Sequence, residues 1–488
     1  MEQQATGLDD IAARIWELVG GTAPMSGRLT ESGRLTVSGP RTVLPSAFDV
    51  TGLATASVAA ATLAAAEFGA ARADGPAPEA AVDSVAACAA FGAEGLFTPV
   101  GWKLPELWDP IAGNYQARDG WIRLHTNYAR HRDAVTRLLK ADDRASVQAA
   151  VAHWTAADLE AAVVAEGGCA AAMHDRARWL ASPAGVAAAQ AAPLASKARP
   201  VSAAGAGSAA GAGPAEPARW LANVSGQPYA GVRVLDLTRV IAGPQCTKFL
   251  AAYGADVLRL DPPAFAEVPA LLPETTAGKR TALVDLTEPA GRAAFERLVA
   301  TADVLVTGLR ADALGKLGYD AAALTALNPA LITASLNAYG WTGPWRDRRG
   351  FDSLVQMSCG IAAEGSATDG GKPVPLPVQA LDHATGYLLA AAVGRALTTR
   401  LTRGVVTAIR ASLIGTATLL WSLPRPADPG ELPPPPKHDQ FPLIDTWTAW
   451  GPARRVPVPG QIAGVTPALR FEAGPLGRDQ PTWEPATE

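Results

Sequence analysis

Residues 232–263 read VRVLDLTRVIAGPQCTKFLAAYGADVLRLDPP, and this stretch decides the fold. Residues 232–237 are a short β-branched and aliphatic run, the pattern of a buried parallel strand. Residues 239–243 form a turn. Pro244 suits the first helical turn, where its missing N–H and fixed φ cost nothing. Phe249, Leu250 and Tyr253 recur at helical spacing, and Gly254 marks a helix stop. Residues 257–260 make a second strand, closed by Asp261-Pro262-Pro263. Such a unit presents its first turn at the carboxyl ends of the strands, where α/β sheets bind ligands. The turn is not a dinucleotide turn. Val240-Ile241-Ala242-Gly243-Pro244 holds one glycine, whereas G-x-G-x-x-G uses its glycines to bring backbone against a pyrophosphate.

The pattern continues outward. Strands are predicted over 282–286, 304–307 and 331–336, helices over 288–301 and 321–327, and a helical turn over 311–317. Thr287 and Asp320 stand where helix N-caps belong. Strands alternating with helices imply an α/β fold, a doubly wound Rossmann-like parallel sheet over 219–422. Residues 194–218, LASKARPVSAAGAGSAAGAGPAEPA, cannot bury a core and are expected to be a flexible linker. Residues 1–193 carry predicted helices over 9–19, 52–69, 130–139, 156–165 and 179–189, an element over 80–91, and a turn and strand over 118–124. That is the make-up of a smaller α+β domain. Residues 423–488 are a Pro-rich extended connection followed by a closing segment. Thr51-Gly52-Leu53 with its alanine-rich helix echoes Thr385-Gly386-Tyr387 with its own, each followed by a valine-containing segment. We read 1–193 as a degenerate N-terminal copy that carries the small domain.

At 488 residues the chain holds about two or three domains with sizeable cores. A net charge of −4 offers no basic footprint for nucleic acid. Cys88, Cys169, Cys246 and Cys359 lack CxxC spacing and read as buried thiols in a reducing cytosol. The opening residues are polar and acidic, unlike a secretory signal, and Glu67 interrupts the alanine-rich run 54–71 as a membrane span. The expectation is a cytoplasmic protein with no membrane contact. His125, His131, His153 and His174 show no metal-ligand spacing, and neither a serine elbow nor a P-loop occurs.

Residues 235–244, Leu-Asp-Leu-Thr-Arg-Val-Ile-Ala-Gly-Pro, and 254–257, Gly-Ala-Asp-Val, resemble the opening of the family III CoA-transferases. That group includes formyl-CoA transferase, carnitine-pathway CoA-transferases and α-methylacyl-CoA racemase. Gly278-Lys279-Arg280, Leu317-Gly318-Tyr319, Asn328-Pro329 and Gly350-Phe351-Asp352 continue the match. Residues 99–193, with EGGCAAAM at 166–173, resemble the family's smaller domain, and 456–477 its closing segment. The order is rearranged, with the small domain first. The resemblance implies an acyl-CoA thioester and a carboxylic acid as substrates, no tightly bound cofactor and no metal, and it allows a homodimer.

The resemblance places the chemistry on Asp382, in Ala380-Leu381-Asp382-His383-Ala384-Thr385-Gly386-Tyr387. Its carboxylate attacks the acyl-CoA carbonyl, giving a mixed anhydride and CoA thiolate. The thiolate then attacks the aspartyl carbonyl, releasing the acid and leaving an aspartyl-CoA thioester, and a second acid reverses the sequence. Read from residues alone, Asp382 is a helix N-cap. The two roles coexist, because a helix N-terminus keeps a carboxylate ionised. At an ordinary pKa of about 3.9 it needs no activating base. By resemblance, Val240 and Ile241 lie against the adenine or pantetheine of the coenzyme, with Leu309 and Leu317 also at its site. Lys279, Arg280 and Lys316 are candidates for its phosphates; from the residues alone, these cations are solvated surface. His383 is an alternative base. Thr307-Gly308-Leu309 replaces the family's Glu-Asn-Phe, and Pro262 an arginine of some members, which keeps a non-catalytic CoA-binding subunit in view. A racemase needs a base on each face of the α-carbon, and Phe351 stands where the racemase branch has a histidine.

Overall fold

The computed structural model describes residues 7–22, 34–201, 220, 226–366, 371–425, 434 and 436–483. A seven-stranded sheet runs in the order Arg280–Leu283, Asp256–Asp261, Arg233–Leu237, Val304–Thr307, Ile332–Asn337, Val405–Ser412, Leu194–Pro200. All neighbours pair parallel except the last, which is antiparallel to Val405–Ser412. Val234, Leu235, Val257, Leu258, Val304, Val306 and Ile332 are buried, as strands covered on both faces require. From Arg233–Leu237 the chain builds outward to one edge, then returns to build from Val304–Thr307 to the other. The order therefore reverses between these two strands, and their carboxyl ends mark the switch point. The α/β class is as expected.

The linker expected over 194–218 begins as regular structure. Leu194–Pro200 pairs residue by residue with Val405–Ala411 as an edge strand. Composition misleads here because an edge strand needs backbone partners rather than a buried face, and in this strand Leu194 alone is buried. Residues 202–219 lie outside the described residues. A cap also moves. Helix Pro289–Thr301 has no side-chain cap, and Thr287 Oγ1 donates instead to Asp285 at 2.6 Å. Asp320 does cap its helix, accepting the Ala323 N–H at 2.8 Å.

The smaller α+β unit is an antiparallel sheet of Gly113–Gln116, Trp121–Leu124 and Ala170–Ala172. Val135, Val147, Val151, Leu159 and Val163, from three helices, close a core of its own with Tyr115 and Ile122.

Helices Val50–Ala73 and Ala380–Arg403, each of 24 residues, pack along one another. The first is long and apolar enough to cross a membrane, but 89% of its apolar window is buried within the protein, so it is a core helix. Glu67 does not interrupt it; the carboxylate pairs with Arg34 and Arg395. The element expected over 80–91 divides into a strand, Ala80–Asp83, and a helix, Ser84–Phe91. That strand pairs parallel with Leu35–Ser38 and antiparallel with Gln461–Ile462. Of the Pro-rich connection, residues 426–433 and 435 lie outside the described residues. The closing residues run along the first edge of the large sheet, where the Thr281 N–H donates to Asp479 at 2.8 Å.

Candidate active site

Asp236, near the end of a central strand, sets the turn. One carboxylate oxygen accepts the Thr238 N–H at 2.9 Å, and the other accepts Lys279 Nζ at 3.0 Å. Gly243 lets the helix start fold back on the turn, since a Cβ there would sit 2.2 Å from Thr238 Cβ. Val240 adopts φ 65°, a left-handed conformation that strains a β-branched residue. Its N–H donates to Glu267 at 3.1 Å, and Glu267 also accepts from Tyr128 Oη at 2.7 Å and Arg259 at 3.0 Å. A tyrosine of the smaller unit thus helps hold the strained turn.

The helix Ala380–Arg403 meets the helix Ala242–Ala252 at Gly386. A Cβ at Gly386 would lie 2.5 Å from the Ala242 carbonyl oxygen and 2.8 Å from Gln245 Cβ. Residues four apart share a helix face. The Asp-x-x-x-Gly spacing therefore lets glycine bring the helices together while Asp382, one turn earlier, faces Val240.

A cavity of about 540 Å³ lies over the carboxyl ends of the parallel strands, touching Leu237, Leu260, Val284, Gly308, Leu336 and Leu413. Arg130, Arg239, Arg310, Arg348 and Arg349 also line it. A second cavity, of about 80 Å³, adjoins it at Tyr128, Val240, Phe351 and Asp382, which line both.

Asp382 is the third residue of its helix and not the N-cap. The capping belongs to Asp352, whose Oδ2 accepts the N–H groups of Leu381 at 2.8 Å and Asp382 at 3.0 Å. Among the described residues, none donates a hydrogen bond to the Asp382 carboxylate. Burial, then the charges of Asp352 and Glu94, hold that carboxyl well above the usual range. Burial pushes Asp352 up to about 6 against the pull of its hydrogen bonds. Burial would also raise Glu94, but His383, with Nε2 2.9 Å from Glu94 Oε2, holds it below the usual range. The expectation of an unperturbed aspartate is overturned, because desolvation beside two acids outweighs the helix terminus.

Val240, Leu309, Leu317 and Asp382 come together on the large cavity, and Ile241 faces the small one. The three basic candidates do not join them. Lys279 is fully buried on Asp236, and burial pushes its ammonium down to about 8. Arg280 donates to Asp256 at 2.8 Å and to the Thr482 carbonyl at 2.6 Å. Lys316 is exposed and paired with Asp312. The first two brace the turn and the sheet edge, so they are neither solvated surface nor cavity wall. His383 is committed to Glu94, and its ring stacks on Phe91 at 5.4 Å. Sequence reasoning missed Asp352 and Glu94. Asp352 does carry a signal, its place in Gly350-Phe351-Asp352. Glu94 has no spacing signal, standing 289 residues from His383. The cavity arginines carried a signal in the motifs themselves, since Arg239 lies in the first turn and Arg349 just before Gly350. The four cysteines are free and buried, and no group of side chains able to hold a metal occurs among the described residues.

Residues 229–433 match CoA-transferase family III. The succinate–glutarate CoA-transferase of Agrobacterium fabrum is 36% identical over 188 residues, 35% of this chain and 47% of that protein. A probable fatty acyl-CoA transferase of Mycobacterium tuberculosis is 35% identical over 204 residues, 39% of this chain and 52% of that protein. A formyl-CoA:oxalate CoA-transferase of Rhodopseudomonas palustris is 32% identical over 186 residues, 36% of this chain and 43% of that protein. The chain thus spans about half the length of the curated relatives it matches. Among solved structures, a hypothetical protein from Mycobacterium tuberculosis aligns at 36% identity with a TM-score of 0.38, covering 40% of this chain and 56% of that one.

Proposed function

We propose that this chain, whose residues 229–433 belong to CoA-transferase family III, moves CoA from an acyl-CoA thioester to a carboxylic acid, with Asp382 as covalent nucleophile. The observation that carries this reading is the place of Asp382. Asp382 is 7% exposed, its carboxylate accepts no hydrogen bond among the described residues, and it stands where a large arginine-lined cavity meets a small one. An acyl-CoA spanning the two would set its thioester beside that carboxylate.

The environment suits the chemistry. A carboxylate pressed by burial and two neighbouring acids is more basic than a free one, and so a better nucleophile once ionised. Attack on the thioester carbonyl breaks the C–S bond, sends the electron pair to the CoA sulfur and turns the crowded anion into a neutral anhydride. That step removes a charge from beside Asp352 and Glu94, so the repulsion is relieved as the reaction proceeds. The phosphates of CoA meet arginine forks in this reading, and not Lys279, Arg280 or Lys316. The substrates are then an acyl-CoA and a carboxylic acid, met in the cytoplasm, with no tightly bound cofactor.

The racemase reading lacks the histidine that its branch carries at the place of Phe351. Phe351 stacks on His125 with ring centroids 3.6 Å apart, and burial, with Arg123 and His131, pushes that imidazole down to about 3. Incubation with an acyl-CoA, trapping with hydroxylamine or borohydride and peptide mapping test the proposal. The adduct is expected on Asp382 and absent from Asp382→Ala. Full exchange activity in Asp382→Ala would sink it, and CoA binding without any adduct would favour a non-catalytic subunit.

A further inference from the structure

We propose that the small cavity beside Asp382 is the acyl subsite, and that it takes a short, uncharged acyl group, that of a monocarboxylic rather than a dicarboxylic acid. The inference rests on the transferase reading and adds the class of acid. Size is the first argument. The cavity holds about 80 Å³. An engineered apolar cavity of about 150 Å³ accepts benzene, so roughly half that volume suits a tail of about three or four carbons.

Charge is the second argument. The walls are apolar at Leu107, Trp108, Val268, Leu271 and Phe351, and the charged groups on them are Glu94, Asp352 and Asp382. Among the described residues, no lysine or arginine lines this cavity, whereas five arginines line its neighbour. Burial leaves His125 neutral. The guanidinium of Arg123 lies behind the wall, over the Trp108 ring at 5.0 Å from its centroid and donating to Asn114 at 3.0 Å, and its charge is spent on Asp352. Asn127, Ser353 and Gln379 are neutral. Among the described residues Ser353 Oγ is buried without a partner, and it offers one hydrogen bond to an acyl oxygen. A second carboxylate on the acyl tail would be stripped of water, meet no lysine or arginine on the described wall, and stand near Glu94, whose carboxyl His383 holds below the usual range.

The test uses non-reactive thioethers on the wild-type protein, with affinities read by calorimetry. S-butyl-CoA is expected to bind about 100-fold more tightly than S-(3-carboxypropyl)-CoA, the matched mimic of a dicarboxylic thioester. S-decyl-CoA is expected to bind more weakly than S-butyl-CoA. Equal or tighter binding of the carboxypropyl compound overturns the charge argument, and tighter binding of the decyl compound overturns the size argument. Failure of CoA and all three thioethers to bind overturns the transferase reading and this assignment with it. The expected order of affinities without CoA exchange between butyryl-CoA and propionate leaves the acyl subsite standing and removes the transferase.

Discussion

The helices Val50–Ala73 and Ala380–Arg403 invite comparison. Each is followed by a strand with a parallel neighbour on one side and an antiparallel neighbour on the other. Each strand then ends in the residue that caps the next helix, Asp83 in one case and Ser412 in the other. Their starts differ. Asp49 is the N-cap of the first helix, accepting the Gly52 N–H at 2.8 Å and Arg41 Nη1 at 2.6 Å. At the second helix the capping is done from outside by Asp352, and Asp382 is left inside the first turn with no donor among the described residues. An acid at a helix start is thus a stabilising cap or a crowded carboxylate without one, according to what else satisfies the backbone. In the first unit the acid is spent on structure. In the second it is left unused by the backbone.

That contrast can be broken at either end. The largest effect is expected from Asp382→Asn, which should lower exchange turnover by about 1,000-fold or more. The same change should raise stability near neutral pH by about 1–2 kcal/mol, read by thermal unfolding. The sign follows from the raised carboxyl. The folded protein holds the proton more tightly than the unfolded chain, so wild-type stability falls as pH rises from about 4 through the folded-state pKa, and the gap to Asp382→Asn closes in acid. Asp49→Ala should do the reverse. Loss of the cap and of the Arg41 pair should cost about 1–2 kcal/mol, with turnover within about twofold of wild type below the unfolding range. Reduced turnover in a folded Asp49→Ala protein would make the first unit more than structural. Glu94→Gln should act more gently. Removing one of the charges that raises Asp382 should move the ascending limb of the pH–rate profile to lower pH, and a limb that stays put would take Glu94 out of the site's electrostatics. The smallest effect concerns Val240. Val240→Gly should be more stable than Val240→Ala by about 1 kcal/mol, because glycine alone occupies the left-handed region without strain.

The sheet was legible because its strands are apolar runs of the right length and its helices carry caps such as Asp320. Leu194–Pro200 was not, since an exposed edge strand has no side-chain signature. The Asp382 motif was legible through the family resemblance, and its glycine spacing reflects a close approach of two helices. Its electrostatic state was not, because burial and the neighbourhood of Glu94 and Asp352 are tertiary facts. The basic candidates failed for a related reason. Lys279 and Arg280 look like surface cations in sequence, and only the packing shows that Asp236 and Asp256 already hold them.

The antiparallel strand beside Ala80–Asp83 has a consequence for how the chain is made. Its partner, Gln461–Ile462, comes from the far end of the sequence. A ribosome adding about 5–20 residues per second needs roughly 20–80 s to make the about 380 residues between them. For that interval the early strand has an open edge, of the kind that recruits foreign strands. The nascent protein therefore carries an open strand edge until residues 461–462 have been made.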